Sequence, residues 1–162
     1  MIQSLITYRQ QYSFEDIHEI SKSWAGAQTI AGPMITVTTK KEKENKEGKK
    51  YFVTRSYHYL PEDLKMDVEI IPEKRYKGIY EVMLYKSKIK ISGNFNHKKL
   101  IEQFANKKIE QSYISFNISD LRGLQKDVRL KLNGKNYNLI SGLKNKIFKS
   151  GFYSDFELNT EN

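Results

Sequence analysis

The stretch Leu64-Lys-Met-Asp-Val-Glu-Ile70 decides the fold class of this chain. Apolar side chains stand at every second position, and charged side chains fill the positions between them. A period of two is the pattern of a β-strand, because successive side chains of a strand point to opposite faces of its sheet. The stretch therefore predicts a strand with one buried face and one face in water.

The same period recurs along most of the chain. The highly charged segment 40–50 lies between two such runs and predicts the exposed tip of a long hairpin. A polybasic contact with a membrane or with nucleic acid is the alternative, which the three Glu of the segment weaken. Further strands are predicted at residues 35–38, 51–60, 76–91, 109–119, 128–132 and 137–139, with a last strand around 152–158.

Two local features refine the strand prediction. In residues 76–91 the apolar positions change phase, since Val82 and Leu84 have one parity and Ile89 and Ile91 have the other. A bulge near residues 85–88 would bring both sets to the core. Asn133-Gly134 separates two apolar-alternating runs and is the strongest short hairpin signal, because both turn positions need positive φ.

Two helices are expected beside the strands. Residues 13–24 carry apolar side chains near one face and begin at Ser13, a suitable N-cap, so they predict an amphipathic helix. Residues 97–106 predict a short second helix. The expected fold class is mainly β at the margin of α+β: a twisted antiparallel sheet or sandwich with an N-terminal amphipathic helix and a short helix near 97–106.

Composition narrows the classes of function. The formal charge is +9, and lysine dominates with 23 Lys against five Arg. Arginine is the usual residue for bidentate contacts to phosphates and bases, so we interpret the charge mainly as the bias of an AT-rich genome. A basic face for acidic lipid or nucleic acid is the alternative. The absence of cysteine excludes disulfides, Cys-based zinc sites and a thiol nucleophile.

The sequence offers no membrane span and no enzyme motif. It has no run near ~18 apolar residues and no secretory signal peptide, and both ends fit an excised fragment. It lacks the nucleophile elbow, the phosphate-binding glycine loop and the zinc-binding His motif. His18, His58 and His97 are not at metal-ligand spacing from one another. We therefore expect no catalytic residues, no metal site and no cofactor.

The arrangement of tyrosines in the sequence suggests the main alternative function. Tyr51, Tyr57 and Tyr59 share one face of a single strand. Exposed aromatic rings beside lysines are typical of single-stranded nucleic-acid binding, and a basic β domain of that kind is the second hypothesis. Cross-strand packing of the rings is the favoured interpretation, and nucleic acid is an unlikely partner.

Residues 118–124, Ile-Ser-Asp-Leu-Arg-Gly-Leu, predict a tight corner after a strand. Asp120 is expected to accept a hydrogen bond from the following backbone, Gly123 to supply positive φ, and Arg122 to pair with Asp120 or with a sheet carboxylate.

Together with four other stretches, this corner resembles the CreD family of bacterial inner-membrane proteins, also called Cet. The resemblance covers roughly residues 5–142. Two departures occur, since Val37 is followed by Thr38-Thr39 instead of Pro-Tyr and Lys77 replaces the second Arg of R-x-R-G. The stretches are Trp24 with Gln28 and Gly32-Pro33-Met34, Leu60-Pro61 with Leu64, Arg75 to Val82 with Leu84-Tyr85, Ser92-Gly-Asn-Phe95, and Ile118 to Leu124.

The resemblance implies a domain arrangement and a location. Residues 1–24 would be a helical segment that follows a membrane helix, and residues 25–162 would be a β-rich extracytoplasmic domain, truncated at its C-terminus. The segment would lie on the periplasmic side of the inner membrane. Its expected role is non-enzymatic, in envelope integrity, stress response or colicin tolerance.

The resemblance carries no catalytic residues, but it indicates partners and structural positions. The expected partners are the chain's own missing transmembrane helices and remaining extracytoplasmic strands, an envelope protein or lipid, and a second copy through an edge strand. Arg75, Asp120 and Arg122 are candidates for a polar network or contact surface. The positions expected to fix backbone turns are Gly32, Pro33, Gly78, Gly93, Gly123, Asn133 and Gly134.

Overall fold

A computed structural model describes residues 27–77, 80–124, 128–145, 147 and 149–158. The predicted helix 13–24, the boundary at residue 24 and Gly78 lie outside these residues. The described chain is mainly β with antiparallel sheets, as the alternation predicts.

The largest sheet has five antiparallel strands in the order β2-β1-β5-β9-β8. Its central strand β5 pairs with β1 on one side and with β9 on the other, so the sheet brings the two ends of the described chain together. The strands are β1 Ile30–Glu44, β2 Lys50–Tyr59, β5 Ile109–Ile118, β8 Ile140–Ser141 and β9 Gly151–Asp155.

Two hairpins are not hydrogen-bonded to this sheet, although Leu130 of the shorter one is part of its core. β3 Asp63–Lys77 and β4 Tyr80–Asn94 form a two-stranded ribbon, and β6 Leu130–Leu132 pairs with β7 Lys135–Tyr137. Asn133 and Gly134 have φ of 49° and 79° in the short hairpin, which confirms the predicted turn.

The core lies between one face of the sheet and the helix α1, His97–Phe104. Asn96 caps this helix, since its side chain accepts a hydrogen bond from the Lys99 amide at 2.9 Å. Leu100 and Phe104, one turn apart, are buried against β1 and β5. The predicted short helix near 97–106 is confirmed.

The predicted hairpin tip at 40–50 is also confirmed. β1 and β2 are joined by a turn in which Asn45 Oδ1 accepts hydrogen bonds from the amides of Glu47 and Lys49, at 3.0 and 2.9 Å. Residues 41–50 are exposed.

Two expectations about the ribbon are wrong. The register of β3 with β4 runs without interruption from Asp63↔Asn94 to Lys77↔Tyr80, so there is no bulge near residues 85–88, and Tyr76 belongs to β3. Val82 and Leu84 are buried on one face, whereas Ile89 lies exposed on the other. A ribbon outside the main sheet has two independent faces, and its apolar residues therefore need not reach one core.

Candidate contact surface

The first and last of the five resembling stretches meet at one corner of the sheet. Gln28 Oε1 accepts hydrogen bonds from the Asp120 amide at 3.1 Å and from Ser119 Oγ at 3.3 Å. The Thr29 amide donates to Ser119 Oγ at 2.9 Å, and the Ser119 amide donates to the Thr29 carbonyl. Residues that are about ninety positions apart in sequence thus form one hydrogen-bonded corner, which spacing along the chain does not reveal.

Asp120 and Arg122 complete this corner. Asp120 Oδ1 accepts from the Arg122 amide at 3.0 Å, and the Arg122 guanidinium reaches both carboxylate oxygens, with Nη2 at 2.5 Å from Oδ2. The hydrogen bonds from the Arg122 side chain and backbone lower the pKa of Asp120. Both predicted contacts of this pair are confirmed.

Gly123 does not have the predicted positive φ. It ends a short 3-10 helix, Leu121–Gly123, whose N-cap is Asp120, and 3-10 residues have negative φ. The Asp120 cap turns the chain, so the corner needs no left-handed residue at this point.

Gly32 and Pro33 lie where β1 passes close to β5. Gly32 has φ of 106°, the Gly32–Pro33 peptide bond is cis, and the register of β1 with β5 shifts between Ala31 and Met34. A Cβ added at Gly32 would lie 2.9 Å from the Ser115 carbonyl oxygen. Gly32 and Pro33 therefore lie within β1 at a register shift, where the backbones of β1 and β5 come close, rather than at a turn between elements.

A second pair of resembling stretches meets at the base of the ribbon. A Cβ added at Gly93 would lie 2.5 Å from the Asp63 carbonyl oxygen and 3.4 Å from Pro61 Cβ. Gly93 is opposite Leu64 in the register of β3 with β4. Close approach of the backbone, rather than a turn with positive φ, is the role that the structure gives to Gly93.

Arg75 lies in β3, near the end of the ribbon that is remote from Gly93. It pairs with Glu73, whose other oxygen is 2.6 Å from Lys86 Nζ. These contacts lower the pKa of Glu73, with the Lys86 hydrogen bond as the main cause. Arg75 therefore pairs with Glu73, whereas Arg122 pairs with Asp120, and a shared network of the three candidates stays a prediction.

One face of the ribbon carries exposed apolar side chains along most of its length, interrupted by the Lys74–Glu81 ion pair at 2.7 Å. Even-numbered residues of β3 and odd-numbered residues of β4 share this face, because directly opposed residues of antiparallel strands point the same way. The exposed fractions reach 62% at Ile70 and 67% at Tyr76, so the expectation that this face is buried is wrong for the part of the chain that the structure describes. We call this set the apolar ribbon face: Leu64, Met66, Val68, Ile70, Tyr76, Met83, Tyr85 and Ile89.

The opposite face of the ribbon carries ion pairs of mixed sign. Lys65 is 3.2 Å from Asp67 on the same strand, and Lys88 is 3.5 Å from Glu69 across the strands. This charged face also holds the buried Val82 and Leu84, which lie opposite Arg75 and Glu73. The apolar ribbon face is the strongest candidate for a contact surface, because contiguous exposed apolar area marks sites of interaction.

The tyrosines do not form a stacking platform. Tyr57 and Tyr59 pack edge-on against Phe104, with ring centroids 5.4 and 6.0 Å apart, and Lys107 Nζ lies 4.9 Å from the Tyr57 centroid. Tyr51 is the exposed member of the three. Packing is thus confirmed for Tyr57 and Tyr59, and this counts against the nucleic-acid hypothesis.

Within the described ranges, no cluster of three or more His, Cys, Asp or Glu side chains is arranged to hold a metal ion. The helices of these same ranges include none long and apolar enough to cross a membrane.

A family model matches residues 1–162, and its description defines the class: inner membrane proteins. The chain belongs to the CreD family, as the five stretches predict. Inner membrane protein CreD of Escherichia coli strain K12 is 28% identical to the chain over 131 residues, which are 76% of this chain and 28% of that relative. The chain thus spans little more than a quarter of the length of this curated relative. No solved structure matches the chain.

Proposed function

We propose that residues 27–158 form an extracytoplasmic domain of a CreD-family inner membrane protein, and that this domain acts by contact rather than by catalysis. The observation that carries the proposal is the apolar ribbon face on a chain of this family. A surface of this kind serves association.

The proposed role is in envelope integrity, stress response or colicin tolerance. The proposed partners are the rest of the same polypeptide and an envelope protein or lipid. The periplasmic side is supported by the resemblance alone, and it is the part of the proposal to test first.

Protease accessibility of the full-length protein tests the side of the membrane. The turn between β1 and β2 places Lys46 and Lys49 on an exposed tip, which makes it a suitable trypsin site. Trypsin added outside spheroplasts is expected to cut there, whereas trypsin added to inside-out inner-membrane vesicles is expected to leave the site intact.

The matched control replaces all five lysines of the exposed tip, Lys41, Lys43, Lys46, Lys49 and Lys50, by Gln, so that cleavage at this tip is lost and other cleavage remains. Cleavage only in inside-out vesicles would place the domain in the cytoplasm and overturn the proposal. A product that does not sediment with the inner membrane would also overturn it.

Complementation of a deletion strain tests the role. Full-length protein is expected to restore colicin tolerance and growth under envelope stress, and Val68→Asp on the apolar ribbon face is expected to fail at equal abundance. Glu69→Asn, on the adjacent charged face, is the matched control and is expected to complement. Equal complementation by both variants would show that the role does not use this face.

A further inference from the structure

The ribbon is too exposed to be stable by itself. Its strands have 15 residues each, which corresponds to a length of roughly 45–50 Å. Among the described strands, β3 pairs with β4 and with no other. A two-stranded hairpin in water is at best marginally stable and needs a third strand or a packed helix on its apolar face. The ribbon therefore needs a cover on the apolar ribbon face.

The charged face shows what kind of cover fits. Glu69 pairs with Lys88, and Glu73 pairs with both Lys86 and Arg75, so acidic and basic groups neutralise one another along the ribbon. A ribbon that lies on anionic lipid would instead flank its apolar residues with an excess of cations. The charge pattern thus favours a protein surface as the cover.

The length of the family shows where that protein surface comes from. The alignment with the curated relative covers 28% of that protein, so most of a family member's polypeptide lies outside the matched part. A covering segment on the same polypeptide is tethered, and tethering gives it an effective concentration on the order of millimolar. A permanently apolar surface is best matched by such a constant neighbour, since a transient partner would leave it exposed.

We propose that the apolar ribbon face is covered by a segment of the same polypeptide that lies outside residues 1–162, and that this segment presents an apolar strand or helix face to Met66, Val68 and Ile70. The inference deepens the proposed function by naming the partner and the surface. It rests on membership of the family and does not depend on which side of the membrane the domain lies.

Site-specific photo-crosslinking in the full-length protein tests the inference. Val68 is replaced by p-benzoylphenylalanine, and intact membranes are illuminated before solubilisation. The expected product has the mass of one polypeptide, and its peptide map joins the segment around residue 68 to a segment outside residues 1–162. The matched control replaces Glu69, the next residue and on the charged face, and is expected to give a severalfold lower yield of this product.

Each other outcome overturns the inference. A product of twice the mass would assign the face to a second copy, and an adduct with lipid would assign it to the membrane. A cross-link to another protein or within residues 1–162, or equal yields at Val68 and Glu69, would also contradict it. If the Val68 variant does not accumulate, Ile70 provides a second site, since its side chain shares the face and is 62% exposed.

Illumination reaches both sides of the membrane, so a cytoplasmic location would not change this readout. Failure of the trypsin test and failure of the cross-link are therefore separate results.

Discussion

The five-stranded sheet and the β3–β4 ribbon use the same sequence pattern and reach opposite degrees of burial. In β1, Ile35 and Val37 alternate with threonines, and they are 3% and 0% exposed under α1. In β3, Val68 and Ile70 alternate with acidic residues, and they are 50% and 62% exposed. The difference shows that alternation specifies a strand with an apolar face, whereas the cover of that face depends on which other element packs there.

The largest expected change in the free energy of unfolding distinguishes the five-stranded sheet from the ribbon. Phe104 is fully buried and contacts Tyr57 and Tyr59, so Phe104→Ala is expected to lower the free energy of unfolding of residues 1–162 by about 3–5 kcal/mol. Tyr85→Ala on the apolar ribbon face is expected to cost less than about 0.5 kcal/mol in the same segment. Urea denaturation followed by circular dichroism measures both, and equal losses would contradict the contrast.

The next effect concerns close backbone contacts inside the sheet. Gly151 has φ of 153°, and an added Cβ would lie 1.9 Å from the Phe116 carbonyl oxygen, so β9 must move away from β5 in Gly151→Ala. We expect a loss on the order of 3 kcal/mol. Gly48→Ala is the control, since Gly48 also has positive φ, at 79°, but has room for a Cβ.

For Gly48→Ala the expected loss is the left-handed strain alone, about 1–2 kcal/mol. Urea midpoints of the two variants compare these losses, and a smaller loss for Gly151→Ala would show that β9 adapts easily.

Local signals in the sequence predicted the elements well. The turn at Asn133-Gly134, the short helix after Asn96 and the hairpin tip at 40–50 each depend on neighbouring residues, and each is present. The Asp120–Arg122 contact could be predicted for the same reason, since a single residue separates the two in sequence.

Non-local arrangements could not be predicted. The contact of Gln28 with Asp120 and the approach of Gly151 to Phe116 depend on the order of strands in the sheet. The prediction of a bulge near residues 85–88 is wrong because it assumes that Val82 and Ile89 reach the same core. The two residues lie on opposite faces of a ribbon. The exposure of the apolar ribbon face could not be predicted either, because alternation specifies an apolar face and does not specify which element packs on it.

A smaller change in the free energy of unfolding is expected at Tyr59, whose hydroxyl group lies in the core of the sheet. The Tyr59 hydroxyl is buried, and its contact with the Gln103 side chain does not have the geometry of a full hydrogen bond. Tyr59→Phe is therefore expected to raise the free energy of unfolding by about 1 kcal/mol, since a buried unsatisfied hydroxyl is costly. Tyr51→Phe, at the exposed position of the same strand, is the control and is expected to change little.

The same residue gives the sheet a dependence on high pH. Burial raises the pKa of Tyr59, so between the unfolded and the folded pKa the folded state holds more protons than the unfolded state. Stability is then present below the ordinary tyrosine pKa and falls as pH rises through the folded value. The fall in urea midpoint above about pH 10 is expected to be smaller in Tyr59→Phe. An unchanged fall would show that Tyr59 is not its source.

The smallest expected effects on stability are those of exposed ion pairs. One titration compares such a pair at the corner of the sheet with one on the ribbon. Hydrogen bonds from Arg122 lower the pKa of Asp120 at the sheet corner, and the hydrogen bond from Lys86 lowers the pKa of Glu73 on the ribbon. Each carboxylate thus favours the folded state above the ordinary carboxyl pKa, and this contribution disappears as pH falls through the lowered value. Carboxyl NMR titration of Arg122→Ala is expected to return the pKa of Asp120 toward about 4 and to leave that of Glu73 low. A joint shift of both pKa values would instead reveal that Arg75, Asp120 and Arg122 form the single network that the sequence predicted.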